Sequence, residues 1–538
     1  MSSPVFRLLL STSLFALAAC GGGSGGGGLG AGGGGNNGGG NGSGWQQGVF
    51  LDFETFYAEC AAPRGGTNPA TGRAYPDVQG TILDENNFLR SYTDDTYLWY
   101  DEVPDQDPGL YNNPLAYFDE LRTSALSPSG IPKDQFHFTY DSDEYYQLSQ
   151  SGVSYGYGVT WAFIANTPPR KLVIAYTEPN SSATNLPTPL ARGADIIAID
   201  GVDVANGNDI DTLNAGLFPS NIGEQHTFTV RDLGATTTRD VVLTSASVTA
   251  APVQNTQVFS TPTGEVGYMT FNDHLATAEQ ALIDAVNQLN AHDNGAGISD
   301  LVLDLRYNGG GFLDIASELA YMIAGPGPTA GAVFEDLIFN DKHPVTDPVT
   351  GQALSPTPFY TQTLGAPFNA PPNQALPSLD LQRVYILTGG GTCSASEAIM
   401  NGLRGVGVEV IQIGATTCGK PYGFYPTDNC GTTYFTIQFK GVNEAGFGDY
   451  SDGFAPANAG GPGEDVPGCA VADDFTKQLG DPTEARLAAA LMYRDINDCP
   501  AASAVAPGVL SKTSVPLQAA EPMVPKSPWQ MNRILRPR

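Results

Sequence analysis

The chain has 538 residues, with 25 Lys and Arg against 56 Asp and Glu, a formal net charge of −31. A hydrophobic content of 41% excludes a globally disordered chain, and the length accommodates three or four domains with sizeable cores. The acidic excess argues against nucleic acid, or an anionic membrane surface, as partner of the folded body, since those partners require Lys and Arg.

Residues 1–19 read as a secretory signal, with Arg7 ahead of an apolar run from Leu8 to Leu17. That run is too short for a permanent membrane span. Leu17-Ala18-Ala19-Cys20 resembles the lipobox of bacterial lipoproteins, which implies cleavage before Cys20 and lipidation of its thiol. Residues 20–44 form a tether, with 17 Gly in the 24 positions after Cys20. Gly21 resembles the pattern of outer-membrane sorting. The expectation is a lipid-anchored protein of the cell envelope, in the outer membrane facing the periplasm or at the cell surface.

Residues 45–148 predict a mostly helical N-terminal domain, with helices over 86–99 and 114–124. Residues 149–252 predict a β-rich domain with strands at 159–164 and 172–176. In order come Gly156-Tyr157-Gly158-Val159, Glu178-Pro179-Asn180-Ser181-Ser182-Ala183, and Ala191-Arg192-Gly193-Ala194-Asp195-Ile196-Ile197-Ala198-Ile199-Asp200-Gly201. That order resembles a PDZ domain of the bacterial protease type. The resemblance implies capture of a peptide C-terminus by the loop at Tyr157, Gly158 and Val159, the peptide adding a strand to a sheet edge.

Residues 253–500 alternate strand and helix. Strands are predicted at 266–271, 301–305, 384–387 and 408–413, and helices at 275–289, 313–323 and 394–403. This is the pattern of an α/β layer with helices over a buried sheet. The Pro-rich stretch 325–380 is too long for an idle loop. Residues 501–538 predict a disordered, solvated tail of charge +4, which with Arg7 leaves −36 on residues 45–500.

Two segments carry the chemistry. Gly389-Gly390-Gly391-Thr392-Cys393-Ser394-Ala395-Ser396-Glu397 follows a strand and opens a helix, and Gly414-Ala415-Thr416-Thr417-Cys418-Gly419-Lys420 follows the next strand. A serine at such a turn exposes its hydroxyl beside helix N-terminal N–H groups that can stabilise an oxyanion. It needs a base, and a lysine serves only if burial lowers its reference pKa of about 10.4 by several units. Gly414-x-x-x-x-Gly419-Lys420 also matches a phosphate-binding loop, but Pro421 stands where Mg²⁺ needs a hydroxyl, so nucleotide binding is rejected. The GxSxG at Gly22–Gly26 lies in the tether, an accident of composition, and no HExxH occurs. A Ser-His hydrolase would use His274. No metal and no cofactor are expected. Six cysteines besides Cys20 permit three disulfides in any of 15 pairings, and one involving Cys393 or Cys418 would stiffen both segments.

The sequence from about 130 to 450 resembles the C-terminal processing peptidases, or tail-specific proteases. Asp300-Leu301-Val302-Leu303-Asp304-Leu305-Arg306-Tyr307-Asn308-Gly309-Gly310-Gly311 matches the family's DLVLDLRxNGGG, Thr392–Glu397 its TASASE, and Gly419-Lys420 its GK. The resemblance implies a crotonase/ClpP-like βαβ core, with Ser394 as nucleophile, Lys420 as base, and an oxyanion hole from the N–H groups of Ala395 and Gly309. Ser396 is a lesser candidate nucleophile, and Asp304 and Glu397 are structural. The family's orienting Gln, four residues after the Lys, is here Phe424. The reading is a serine endopeptidase acting on unstructured or C-terminal protein segments, with an inactive peptide-binding lipoprotein and a Ser-His hydrolase as alternatives.

Overall fold

The structure, a computed structural model, describes residues 45–68, 72–500, 522–525 and 533–535. The signal, Cys20 and the tether lie outside the described residues. No helix among those described is long and apolar enough to cross a membrane.

The fold is mixed α/β. Its centre is a six-stranded sheet in the order Val253–Thr261, Gly264–Phe271, Asp300–Asp304, Arg383–Thr388, Glu409–Gly414 and Gly468–Ala470. The first pair is antiparallel and the remaining pairs are parallel. Alternation along each strand feeds two cores. Leu301, Leu303, Val384, Ile386 and Val410 pack against the helices Ala278–Asn290, Leu313–Ala324 and Ala395–Gly405. Val302, Tyr385, Leu387, Ile411 and Ile413 pack on the opposite face, against the helix Ala485–Ile496. Burial on both faces explains the nearly continuous apolar runs of these strands. The order 300–304, 383–388, 409–414 places three adjacent parallel strands side by side, so the loops after them open on one edge. That is where open α/β sheets place their ligands.

A second sheet, antiparallel throughout, runs Arg239–Thr244, Gln225–Arg231, Asp195–Ile199, Lys171–Thr177, Val159–Ala165, with the helix Ile210–Leu217 against it. Val159–Ala165 is its edge strand.

In the N-terminal region Thr81 caps the helix Ile82–Thr96 and shares a capping box with Asp84, so the helix starts four residues before the predicted one. The second helix, Pro114–Glu120, is shorter than expected. Phe138–Asp141 pairs with Thr432–Phe435, and the Cys60–Cys430 disulfide ties the same surfaces across 370 residues. The Pro-rich excursion lies over the core helices: Ser317 Oγ donates to Pro358 O at 2.7 Å, and Val333–Ile338 pairs with Phe439–Val442.

The expectation of a tail solvated along its whole length does not hold for two stretches. Met523 pairs with Phe163, and Arg533–Ile534 pairs with Gly311–Phe312. The reason is apolar burial, since Ile534 and Leu535 join the main core.

Candidate active site

Three loops converge on the carboxyl edge of the central sheet. Ser394 lies directly before the helix Ala395–Gly405, in a backbone conformation (φ 59°, ψ −109°) that a non-glycine residue adopts only at a cost of about 1–3 kcal/mol. The strain is held by packing and hydrogen bonds around it: Cys393 N–H donates to Asn308 O at 3.2 Å, and Ser396 Oγ to the same oxygen at 3.0 Å. Ser396 therefore bonds the neighbouring loop. A strand-to-helix turn of this strained kind is how hydrolases project a nucleophile.

Lys420 is fully buried, with Nζ 4.4 Å from the Phe136 ring centre and 4.6 Å from that of Phe424. Burial disfavours an ammonium, while ring faces attract it, so the two surroundings act in opposite directions. Phe136 comes from the N-terminal region, and nothing in its sequence context marks it as a neighbour of this lysine. Gly419 precedes the lysine at φ 83°, and a Cβ there would collide with Ser451 O, so the turn into Lys420 requires glycine.

Glu397 joins the two loops. Its Oε2 accepts from Ser394 N–H at 2.8 Å and Lys420 N–H at 2.9 Å, and its Oε1 from Thr417 Oγ1 at 2.5 Å and Gly419 N–H at 2.8 Å. Burial raises its carboxyl above the usual range, and these donors oppose the shift. Glu397 is thus a structural acceptor, as the sequence suggested. The Cys393–Cys418 disulfide, with Cα atoms 5.1 Å apart, is a second tie between the same loops, and the third pair is Cys469–Cys499. Cys393, Glu397 and Cys418 are close enough together for a metal site, but the two sulfurs are bonded to each other.

In the third loop Gly310 N–H donates to Asn308 Oδ1 at 2.9 Å. Asn308 Oδ1 also lies 2.9 Å from His274 Nδ1, and its Nδ2 donates to Phe271 O. Because Oδ1 can only accept, Nδ1 of His274 carries a proton and Nε2 is the acceptor of the neutral ring. Arg306, four residues before Gly310, is buried among Asp304, Asp473 and Glu484 at 2.7–2.9 Å. Asp304 also accepts from Tyr268 OH at 2.8 Å, the structural part expected of it.

Tyr157 and Gly158 form the loop before the edge strand of the second sheet, which Val159 begins, and all three line a groove with Trp161, Leu217 and Phe218. Arg192 links that domain to the core, with Nη1 2.5 Å from Tyr307 OH and Nη2 2.5 Å from Asp473.

The strand-end loops that carry the strained serine and the buried lysine fall largely within a stretch that matches a known family. Residues 265–424 match the model of peptidase family S41, and residues 84–140 that of the peptidase S41 N-terminal domain. The chain thus carries a stretch similar to peptidase family S41 and another similar to its N-terminal domain, together less than half of the 538 residues, which supports a protease. Its fold is similar to that of a protein described as an S41 protease from Bacteroides fragilis NCTC 9343, at 22% identity and a TM-score of 0.53, over 79% of this chain and 99% of that one. The photosystem II D1 C-terminal processing protease also matches, at 18% identity and a TM-score of 0.40, over 74% and 97% of the two chains. No match is found among curated proteins.

Proposed function

We propose that this protein is a serine endopeptidase of the bacterial cell envelope, anchored through a lipid on Cys20, that cuts unstructured or C-terminal protein segments with a Ser394–Lys420 dyad. The observation that carries the reading is the double tie between the two loops: Glu397 accepts the N–H groups of both Ser394 and Lys420, and the Cys393–Cys418 disulfide closes the same junction.

Ser394 Oγ attacks the scissile carbonyl carbon while Lys420 Nζ, as the free amine, takes its proton. The carbonyl oxygen becomes an oxyanion, received by the N–H groups of Ala395 and Gly309. Lys420 then passes the proton to the leaving amine as the C–N bond breaks, leaving an ester on Ser394. Water, deprotonated by the same amine, hydrolyses the ester. The groove at Tyr157, Gly158 and Val159 would hold the substrate's extended end in the manner of a PDZ domain.

The test is cleavage of an unfolded protein by full-length chain. Ser394→Ala should abolish it, and Lys420→Ala should lower it by about 10²–10⁴-fold, with no rescue by Lys420→Arg, whose side chain stays protonated. Retained cleavage in both alanine variants would sink the dyad. The His274 tautomer favours one second reading, a Ser-His pair, in which loss would follow His274→Ala while Lys420→Ala stays active. A chain that binds peptides but cleaves nothing would be the inactive peptide-binding form. Cys20→Ser should release the protein from membranes, and continued attachment would refute the anchor.

A further inference from the structure

The described stretches of the tail meet the rest of the protein at two places. At one end Met523 adds to the open edge of the second sheet: Phe163 N–H donates to Met523 O at 2.8 Å, and Met523 N–H to Phe163 O at 3.0 Å, in antiparallel sense. Met523 and Pro525 line the groove between the strand Val159–Ala165 and the helix Ile210–Leu217. Because the pairing is antiparallel, the chain beyond Met523 runs toward Val159, and Pro525 does reach the cavity that holds Tyr157, Gly158, Val159 and Asp273. Val524 packs on Ala162, Tyr176 and Tyr307, the last of these directly preceding Asn308.

At the other end the tail becomes a strand between two of the active-site segments. Arg533 and Ile534 pair in parallel with Gly311 and Phe312. On the far side Ile534 bridges to Phe424, and Leu535 N–H donates to Phe424 O at 3.1 Å. Phe424 is the residue whose ring faces Lys420, and Gly311 is two residues from Gly309. Ile534 is 1% exposed and Leu535 6%. Ser394 and Lys420 are both at 0% exposure, so a substrate cannot reach them while this arrangement lasts.

We propose that residues 522–525 and 533–535 are an internal competitor, occupying the two ends of a peptide track, one in the groove of the second sheet and the other in the cleft between Gly311 and Phe424. The track takes an extended, aliphatic-rich segment. Backbone pairing at both ends supplies affinity, and the burial of Ile534 and Leu535 supplies the preference for aliphatic side chains. A substrate enters by displacing the tail, so the fraction of molecules with the track open multiplies every apparent affinity. The binding part stands on the geometry alone, and the rate part rests on the proposed protease activity.

The experiment uses the full chain carrying Ile534→Asp and Leu535→Asp. In a Ser394→Ala background, binding of a fluorescein-labelled peptide with the sequence of residues 521–535 is read by anisotropy. With Ser394 intact, cleavage of reduced, carboxymethylated lactalbumin is read. A track open a tenth of the time predicts about tenfold tighter peptide binding in the variant than in the unsubstituted chain, and a matching rise in cleavage at low substrate. Equal binding in the two proteins overturns the proposal. Tighter binding with no cleavage by either protein supports the occupied track and refutes the protease reading. Because the two aspartates enter a buried site, Met523→Pro serves as a second variant. It removes the N–H that bonds Phe163 together with a half-exposed side chain at the groove, and leaves Ile534 and Leu535 in place. It should raise peptide binding in the same direction and by less, and unchanged binding there overturns the engagement of the groove.

Discussion

Glu397, between the loops of Ser394 and Lys420, and Asp473, at the junction of the second sheet with the core, both have buried carboxyls, yet these shift in opposite directions. Burial dominates at Glu397, whose partners are neutral N–H and O–H groups, and its carboxyl rises above the usual range. At Asp473 burial pushes the same way, but Arg192, Arg306 and Arg486 overturn it and hold the carboxyl far below that range. Glu484, also buried, is lowered by Arg306 against the same desolvation. Dipoles organise the loops of Ser394 and Lys420, while the junction between the second sheet and the core is held by opposed full charges. The lesson is that depth alone does not set a carboxyl's behaviour; the charge of its neighbours does.

The largest way to break this contrast is Arg306→Ala, which strands Asp304, Asp473 and Glu484 without their shared guanidinium. A loss of about 3–5 kcal/mol in urea unfolding is expected, as for other broken buried pairs. A loss below about 1 kcal/mol would show that water or rearrangement replaces the ion cluster.

Next comes the double replacement Cys393→Ser with Cys418→Ser. Opening a loop of 25 residues should cost about 3 kcal/mol, and more in activity than in fold if the disulfide holds the dyad in place. Unchanged cleavage after that replacement would remove the disulfide from any part in catalysis.

Glu397→Ala leaves four donors without their acceptor, whereas Glu397→Gln keeps one carbonyl oxygen and loses the charge. The alanine variant should lose about 2–3 kcal/mol, and the glutamine variant about half of that, in the same unfolding measurement. If glutamine were neutral, the charge would contribute nothing to the N–H cluster.

The smallest effect is in pH. Lowered folded carboxyls such as Asp473 and Glu484 contribute stability that is present above their unfolded values, near pH 4, and is lost as pH falls further. Glu397, being raised, works oppositely, with stability declining as pH rises from about 4 through its folded value. Urea midpoints measured from pH 3 to pH 7 should therefore drop on the acid side. In Asp473→Asn that drop should shrink, and an unchanged acid limb would refute the charge-paired account.

The strand and helix positions of the core were legible because burial on both faces leaves runs such as Leu301–Leu305 and helical spacings such as Leu282, Val286 and Leu289. The N-terminal helix was misplaced by four residues because its start depends on a Thr81–Asp84 cap rather than on apolar period. Ser394 and Lys420 could be picked out since each follows a strand and stands in a family-like motif. Phe136 could not, because its contact with Lys420 exists only once the N-terminal region packs on the 420–440 segment. The disulfide partners were equally closed to sequence, where 15 pairings are equivalent until the strands place each sulfur beside its mate.

Local pattern by itself determined the signal-like start, the glycine tether, the alternating core and the two segments that carry serine and lysine. These depend on residue type and spacing within a few turns of chain. Tertiary structure alone decided that Glu397 joins the two segments, that Arg192 and Arg306 share one acid, and that two aliphatic residues of the tail, Ile534 and Leu535, are buried at Phe424. Those contacts join residues tens to hundreds of positions apart, and no local periodicity records a distance closed only by the packing of the sheets.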